Sequence, residues 1–193
     1  MNALAKRPLI VGLGGTLRPG SSTEKALACA LKAAAAGGAD TRLLGGEFLA
    51  RLPIFDPRPG AVIETQHELA NAVRAADGVI VASPGYHGSL SGVVKNALDT
   101  LELTREDAAP YFQGRPVGII ITADGWQAAG TTLMAVRAII HAMRGWPTPF
   151  GAALNATTSL FDEAGDCREA KDAWQLATVA EQVMDFAKMR AGS

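Results

Sequence analysis

Three short apolar runs, each followed by a glycine-rich turn, constrain the fold of this chain more than any other feature. They cover Leu9–Leu13, Gly78–Ala82 and Val117–Ile121, and each run is continuous rather than alternating. Continuous apolar runs are typical of strands that are buried on both faces of a parallel sheet. Thr41–Leu44 and Phe150–Leu154 are weaker candidates for a second and a fifth strand. The pattern therefore predicts a parallel sheet of five strands.

Helical periodicity fills the stretches between these runs, and it predicts a first helix over Glu24–Ala36 and another near Gln66–Ala75. The apolar faces of three helices are Leu27, Leu31 and Ala34; Leu133, Val136, Ile140 and Met143; and Leu176, Val179, Ala180, Val183, Met184 and Ala187. Gly45–Gly60 is rich in proline and is predicted to be an irregular surface connection. Alternating strands and helices predict a doubly wound α/β fold with helices on both faces; the strand order 2-1-3-4-5 would make it flavodoxin-like.

The composition suits one domain. Of the 193 residues, 48% are hydrophobic, which allows a sizeable core. Because no composition break or repeat divides the chain, we predict a single domain over residues 1–193, with loose ends at 1–7 and 190–193. The formal net charge of −1 disfavours nucleic acid and anionic membranes as partners, since both select a basic excess.

The sequence predicts no membrane span, metal site or disulfide framework. No apolar run approaches about 18 residues, and residues 1–8 lack the apolar core of a signal peptide, so the cytoplasm is the expected location. Cys29 and Cys167 are far apart in the sequence, and no cysteine and histidine cluster has metal-ligand spacing.

The turn after the first run, Gly14–Thr23, has the composition of a phosphate-binding loop. It contains four hydroxyl side chains and Arg18, and it leads into the first predicted helix. The free N–H groups and positive dipole end of a helix N-terminus favour an anion. The same residue types also cap helices, so the alternative is an ordinary strand–helix turn with nothing bound.

Neither common nucleotide-binding pattern is complete in this loop. Gly15 and Gly20 have the spacing of a Walker A loop, but Ser21 stands where that loop needs a lysine. A dinucleotide fingerprint begins at Gly12, but Leu17 occupies its third glycine position. A hydroxyl-lined loop of this kind suits a terminal monophosphate ester, such as that of flavin mononucleotide (FMN).

Two further loops are expected to meet the first one. They are Ser83–Gly92 and Thr122–Gly130, and they follow the second and third confident strands. In the predicted strand order these strands are neighbours, and ligands of open parallel sheets bind beyond the carboxyl ends of the strands. The three loops are therefore predicted to form one pocket for a planar ligand.

The second loop contains Pro84-Gly85-Tyr86-His87-Gly88-Ser89, followed by Lys95-Asn96 and Asp99. With the first loop, it resembles the NAD(P)H-dependent FMN reductase family. Members of that family have Gly-Ser-x-Arg-x-x-Ser after the first strand, and Pro-Glu-Tyr-Asn-x-Ser followed by Lys-Asn-x-x-Asp after the third. The resemblance covers nearly the whole chain.

The resemblance implies three groups of FMN-binding residues. The phosphate ligands would be Thr16, Arg18, Ser21, Ser22 and Thr23. The segment bordering the isoalloxazine ring would be Pro84, Gly85, Tyr86 and His87, with Ser89 helping to hold that loop. The turn covering the other edge of the flavin would be Thr122, Ala123, Asp124 and Gly125.

Three residues depart from the family pattern: Thr16 replaces the usual serine, Gly85 a glutamate and His87 an asparagine. Tyr86 either lies against the ring or packs beneath the loop. His87 is either a proton donor or a loop histidine in solvent. Lys95 and Asp99 are spaced to pair along a helix, so we interpret them as structural; in the resembling family that helix lies at a dimer interface.

By resemblance, the implied activity is hydride transfer from C4 of NADPH or NADH to flavin N5. The cofactor carries this chemistry, so no catalytic side chain is required apart from a possible role for His87. Reduced FMN would then pass to an acceptor, such as a flavin-dependent monooxygenase. The alternatives are a quinone or azo reductase with tightly bound FMN, and a flavodoxin-type electron carrier. A homodimer or homotetramer is implied.

Overall fold

A computed structural model describes residues 7–58 and 60–191, in which seven strands join into one sheet. The strands are β1 (Leu9–Gly14), β2 (Asp40–Leu44), β3 (Gly78–Tyr86), β4 (Ser89–Leu90), β5 (Pro116–Ala123), β6 (Trp146–Pro147) and β7 (Ala152–Asn155). Of the predicted loose ends, residues 1–6 and 192–193 lie outside the described residues. Arg7 donates hydrogen bonds to the carbonyls of Gly38 and Ala39.

The sheet order is β2-β1-β3-β5-β6, with β7 also beside β5 and β4 beside β3. All pairs are parallel except β3 with β4. The prediction of a parallel flavodoxin-like sheet is confirmed, but the count of five strands is wrong.

Two local features account for the extra strands. The predicted fifth strand, Phe150–Leu154, corresponds to β7, and the additional strand β6 precedes it. Between β6 and β7 the chain leaves the sheet, and the Arg137 guanidinium donates to the carbonyls of Thr148 and Pro149 at 2.8 and 2.7 Å. The other extra strand, β4, is the short return arm of a hairpin at the end of β3.

The described residues form six helices, of which the first five lie between strands and the sixth follows β7: α1 (Ser22–Ala36), α2 (Gly46–Ala50), α3 (Glu64–Ala75), α4 (Gly92–Thr100), α5 (Trp126–Ala142) and α6 (Ala170–Ala191). A turn of 3-10 helix, Leu101–Thr104, follows α4. The predicted irregular segment Gly45–Gly60 therefore begins with a short helix; its residue 59 lies outside the described residues. Within residues 7–58 and 60–191, no helix combines the length and hydropathy that crossing a membrane requires.

Apolar side chains on the two faces of the sheet form two cores. On one face, strand residues such as Ile80 pack against α1 and α6. On the other face, residues such as Val79 pack against α2, α3, α4 and α5. Successive strand residues are buried on opposite faces, which explains why the runs are continuously apolar.

Glycines in the strands allow α1 and α6 to approach the sheet closely. A Cβ atom on Gly12 of β1 would lie 2.7 Å from Leu31 Cδ1 of α1. A Cβ atom on Gly118 of β5 would lie 2.6 Å from Val179 Cγ1 of α6. Side chains at these positions would collide with Leu31 and Val179 unless those side chains or their helices shifted.

Candidate functional site

A cavity of about 1080 Å³ lies at the carboxyl ends of β1, β3 and β5, slightly larger than the range of about 300–1,000 Å³ usual for small-molecule sites. All three predicted loops contribute to its wall, so their convergence is confirmed. The lining residues are Thr16, Leu17, Arg18, Ser21, Ser22, Thr23, Ile54, Pro84, Gly85, Tyr86, Ser91, Gly92, Val93, Thr122, Ala123, Asp124, Ala128 and Ala156.

The first wall is the N-terminus of α1. Ser21 is its N-cap, and the buried Ser21 hydroxyl accepts a hydrogen bond from the Glu24 N–H at 3.2 Å. The backbone N–H groups of Ser22 and Thr23 donate to no other group in the described part of the chain. These two donors, at the positive end of the helix dipole, are available to an anion.

A compact turn places Arg18 beside these donors. The Thr16 hydroxyl accepts a hydrogen bond from the Arg18 N–H at 3.2 Å. The Arg18 guanidinium is exposed and makes no hydrogen bond or ion pair with the residues that the structure describes. Gly14 makes the start of the turn possible, because its φ is 147° and a Cβ atom there would lie 1.9 Å from the carbonyl oxygen of Ala82.

The second wall is a hairpin formed by β3 and β4. Tyr86 pairs with Ser89, and the two residues between them, His87 and Gly88, have φ angles of 52° and 83°. Positive φ at both central positions is the type I′ arrangement that suits a two-residue hairpin. The His87 and Ser89 side chains are exposed at this tip and lie outside the cavity wall, unlike the adjacent Tyr86.

The base of the hairpin is closed by Ser83, a residue that sequence reasoning did not single out. The buried Ser83 hydroxyl donates to the carbonyl of Pro84 at 2.9 Å and accepts from the Ser91 N–H at 3.0 Å. Ser91 in turn is the N-cap of α4. A second helix N-terminus therefore borders the cavity beside the hairpin.

Steric crowding accounts for the glycine at position 85, where the resembling family has a glutamate. A Cβ atom at this position would lie 2.9 Å from Thr132 Oγ1, 3.0 Å from Ala123 Cβ and 3.3 Å from the carbonyl oxygen of Ala128. The hairpin is packed directly against the start of α5, so the glutamate of the resembling family does not fit here without a shift of α5.

Three exposed apolar side chains surround the mouth of the cavity. Leu17 is 55% exposed, Tyr86 54% and Ile54 82%. This exposure excludes the alternative that Tyr86 packs beneath its loop, because its ring lines the cavity and faces solvent. Large exposed apolar groups at a concave site are typical of ligand contact.

Ile54 was missed by sequence reasoning because it lies in the proline-rich connection, far from the loop motifs. Asn96 of α4 fixes this segment, since its side-chain oxygen accepts from the Phe55 N–H and its nitrogen donates to the Pro53 carbonyl, both at 2.8 Å. Asn96 therefore holds the residues on either side of Ile54.

The third wall follows β5. Gly125 caps α5 with a φ of 111°, and its N–H donates to Asn155 Oδ1 at 3.2 Å, so it supports the turn from outside the cavity wall. Asp124 is exposed on the wall itself. Ala128 and Ala156 also line it, and no local motif marked them in the sequence.

Lys95 and Asp99 lie away from this cavity. Their side chains form the predicted ion pair along α4 at 2.7 Å, and both are about half exposed. They border a separate groove of about 560 Å³ between α4 and α5, with Leu98, Ile139 and Met143 among its apolar residues. This position favours the structural interpretation of the pair.

Comparisons with known proteins agree with this geometry. The sequence model of the family described as NADPH-dependent FMN reductase matches residues 8–158. An FMN-dependent NADPH-azoreductase of Staphylococcus aureus is 33% identical over 93 residues, covering 48% of this chain and 46% of that protein. The aligned part of the chain thus spans about half the length of the curated relatives it matches.

Solved structures show the same fold at low identity. FerB, a flavoenzyme NAD(P)H:(acceptor) oxidoreductase from Paracoccus denitrificans, has a TM-score of 0.76 at 22% identity, covering 94% of this chain and 98% of its own. The NADH:FMN oxidoreductase EmoB has a TM-score of 0.66 at 23% identity, covering 94% and 89%. The structural likeness shows the fold, and the match over residues 8–158 shows that the chain belongs to the NADPH-dependent FMN reductase family.

Proposed function

We propose that the chain binds FMN in the cavity at the carboxyl ends of β1, β3 and β5 and reduces it with NADPH or NADH. The observation that carries the proposal is the combination of unpaired anion-binding donors on one wall of the cavity with exposed apolar side chains around its mouth. A flavin mononucleotide has groups that match both features, a phosphate and a flat ring system.

The phosphate would be held by the first loop. The N–H groups of Ser22 and Thr23 and the guanidinium of Arg18 supply donors that have no other partner in the described residues. The hydroxyls of Thr16, Ser21 and Ser22 lie along the same wall. Charge-assisted hydrogen bonds from a guanidinium to a phosphate are among the stronger contacts that proteins make.

The ring would lie between the hairpin and the turn after β5. Pro84, Gly85 and Tyr86 border one side, and Thr122, Ala123 and Asp124 border the other. Gly85 lines the cavity, and the exposed Tyr86 ring offers an apolar surface. Bound FMN would supply the chemistry, accepting a hydride from the nicotinamide and passing electrons to an acceptor.

We place His87, Ser89 and Gly125 in supporting roles, because none of them lines the cavity. His87 and Gly88 form the tip of the hairpin, Ser89 its return arm, and Gly125 the cap of α5. No protein side chain is needed as a nucleophile in this proposal.

A second candidate is an azo or quinone reductase in which FMN remains bound. The curated relative from Staphylococcus aureus is described as an FMN-dependent NADPH-azoreductase, which favours this alternative. In the first candidate FMN exchanges freely and reduced FMN supplies a partner such as a flavin-dependent monooxygenase. Retention of FMN through gel filtration separates the two.

The proposal includes a cytoplasmic homodimer or homotetramer built from one domain. Support for assembly comes from the groove between α4 and α5, where apolar side chains including Leu98, Ile139 and Met143 border an open surface. Analytical ultracentrifugation of the full chain, with and without FMN, tests the assembly.

The activity is tested by following NADPH and NADH oxidation by the purified chain, with and without added FMN. We expect oxidation that saturates with FMN, and a tight complex detected by flavin fluorescence quenching. Binding of FMN without oxidation of either dinucleotide would instead identify an electron carrier. Absence of FMN binding would overturn the cavity assignment.

A further inference from the structure

The chain has two cysteines, and folding brings them together. Cys29 lies on α1, and Cys167 lies in the segment between β7 and α6. The two thiols are close enough to influence each other's pKa. Both side chains pack against the apolar core between α1 and α6, and Cys29 Sγ lies 3.3 Å from the carbonyl oxygen of Gly165.

A small hairpin presents Cys167 to α1. Phe161 and Cys167 form an antiparallel bridge, and the Asp166 N–H donates to Asp162 Oδ1 at 3.0 Å across the turn. The Lys32 ammonium, one turn along α1 from Cys29, pairs with Asp166 at 3.1 Å. These contacts hold the hairpin that carries Cys167 against the part of α1 that carries Cys29.

These thiols belong to no site described above, since neither lines the large cavity. Burial raises the pKa of Cys29, and it raises the pKa of Cys167 to about 12. Both groups are therefore protonated near neutral pH, and they react slowly because the thiolate is the nucleophile. Oxidation of the pair is therefore expected to be slow and to need prolonged exposure to the oxidant.

We propose that Cys29 and Cys167 are a reversible oxidation site, which closes to an intramolecular disulfide when the protein meets hydrogen peroxide. The sulfur of Cys29 attacks one peroxide oxygen, the O–O bond breaks, and the product is a sulfenic acid and one water. The sulfur of Cys167 then attacks that sulfur, the S–O bond breaks, and a second water leaves. Two thiols lose two electrons and two protons, and one peroxide becomes two waters.

The disulfide would join α1 covalently to the segment that follows β7. That segment begins with Ala156, which lines the large cavity, and continues into the Cys167 hairpin. A cross-link between residues so far apart in the sequence closes a long loop, and long closed loops stabilise a fold most by restricting the unfolded chain. Reduction by a dithiol would restore both thiols.

The test uses the full chain, first reduced and then incubated with hydrogen peroxide under native conditions. Intact mass should fall by two hydrogen atoms, and a non-reducing digest should contain the Cys29 and Cys167 peptides joined together. The thermal midpoint should rise by about 5 °C or more and return after treatment with dithiothreitol.

Cys29→Ser and Cys167→Ser are the matched controls, and circular dichroism checks that both fold. Neither variant should show the mass loss or the rise in thermal midpoint. If the chain with both cysteines forms sulfinic acid and no linked Cys29–Cys167 peptide, the proposal is overturned. A disulfide between two chains would also overturn it. Because the readout uses no flavin or dinucleotide, the result is independent of the proposed reductase activity.

Discussion

The hydroxyl oxygens of Thr23 and Thr122 lie 2.6 Å apart, although 99 positions separate the two residues in the sequence. Thr23 is in the first turn of α1, Thr122 is near the end of β5, and both are buried. Their hydrogen bond joins the first and third walls of the cavity. It uses one of the two hydroxyl protons, so the other remains available to a ligand.

Replacing Thr23 by valine should destabilise the fold by about 1–3 kcal/mol, because the buried Thr122 hydroxyl loses its partner. Urea unfolding with and without FMN measures the effect. The double variant Thr23→Val/Thr122→Val should be less destabilised than the sum of the single variants. Strict additivity would show that the two hydroxyls do not interact.

Arg18→Ala should weaken FMN binding by about 1.5–3 kcal/mol, the contribution expected of a hydrogen bond to a charged group. Fluorescence titration gives the dissociation constant. Arg105→Ala is the control, because Arg105 pairs with Glu102 and Glu106 on an exposed surface away from the cavity. Equal FMN affinity in the two variants would remove Arg18 from the phosphate site.

Gly85→Ala and Gly85→Glu should each cost about 1–3 kcal/mol of stability, because any Cβ atom presses on the start of α5. The Cβ atom would lie 2.9 Å from Thr132 Oγ1, whereas one on Gly130 meets nothing within 4 Å. Gly130→Ala should therefore leave stability unchanged or slightly raised. Chemical unfolding gives the free energy of unfolding of the three variants and of the original chain. If Gly85→Glu is as stable as the original chain, α5 can shift at little energetic cost.

Asn96→Ala and Ile54→Ala should each weaken FMN binding by about 1 kcal/mol, if Ile54 covers the bound ligand. Asn96 acts by holding the neighbours of Ile54. The double variant should therefore bind FMN with the same affinity as the more affected of the two single variants. Asn71→Ala is the control, since Asn71 is exposed on α3 and its amide oxygen accepts from the neighbouring Arg74. Additive losses of FMN affinity would show that Asn96 does not act through Ile54.

Tyr86→Ala should lower turnover while leaving the thermal midpoint nearly unchanged, because the ring is 54% exposed and contributes little to the core. Tyr86→Phe should retain most of the turnover, since it keeps the apolar surface. Steady-state kinetics and differential scanning calorimetry measure the two quantities. A large fall in the thermal midpoint of Tyr86→Ala would instead show that Tyr86 packs in the hydrophobic core.

The central strands could be predicted because burial on both faces leaves a direct mark in the sequence. Residues 9–13, 78–82 and 117–121 all lie within observed strands. The edge strand was less predictable, because its two pieces, β6 and β7, are separated by a segment held by Arg137. A long-range side-chain contact of this kind has no periodic signal.

The site shows the same division between local and long-range signals. Eleven of the predicted residues line the cavity, since they lie at the carboxyl ends of strands or in the turns and first helical turn that directly follow them. Ile54 and Ala156 arrive from distant segments through contacts of Asn96 and Asn155, and no spacing in the sequence reports such contacts. His87 was expected at the ring because the motif does not reveal that its backbone forms the outer tip of a hairpin.

Gly12 does not line the cavity, but it allows α1, whose N-terminus forms the first wall, to pack closely on β1. With only a hydrogen atom toward Leu27 and Leu31, it lets α1 rest directly on β1. A methyl group there would lie 2.7 Å from Leu31 Cδ1, so α1 keeps its place on β1 only if the leucine side chains give way. The seat of the helix whose first amides border the cavity thus rests on the missing side chain of a residue outside the cavity wall.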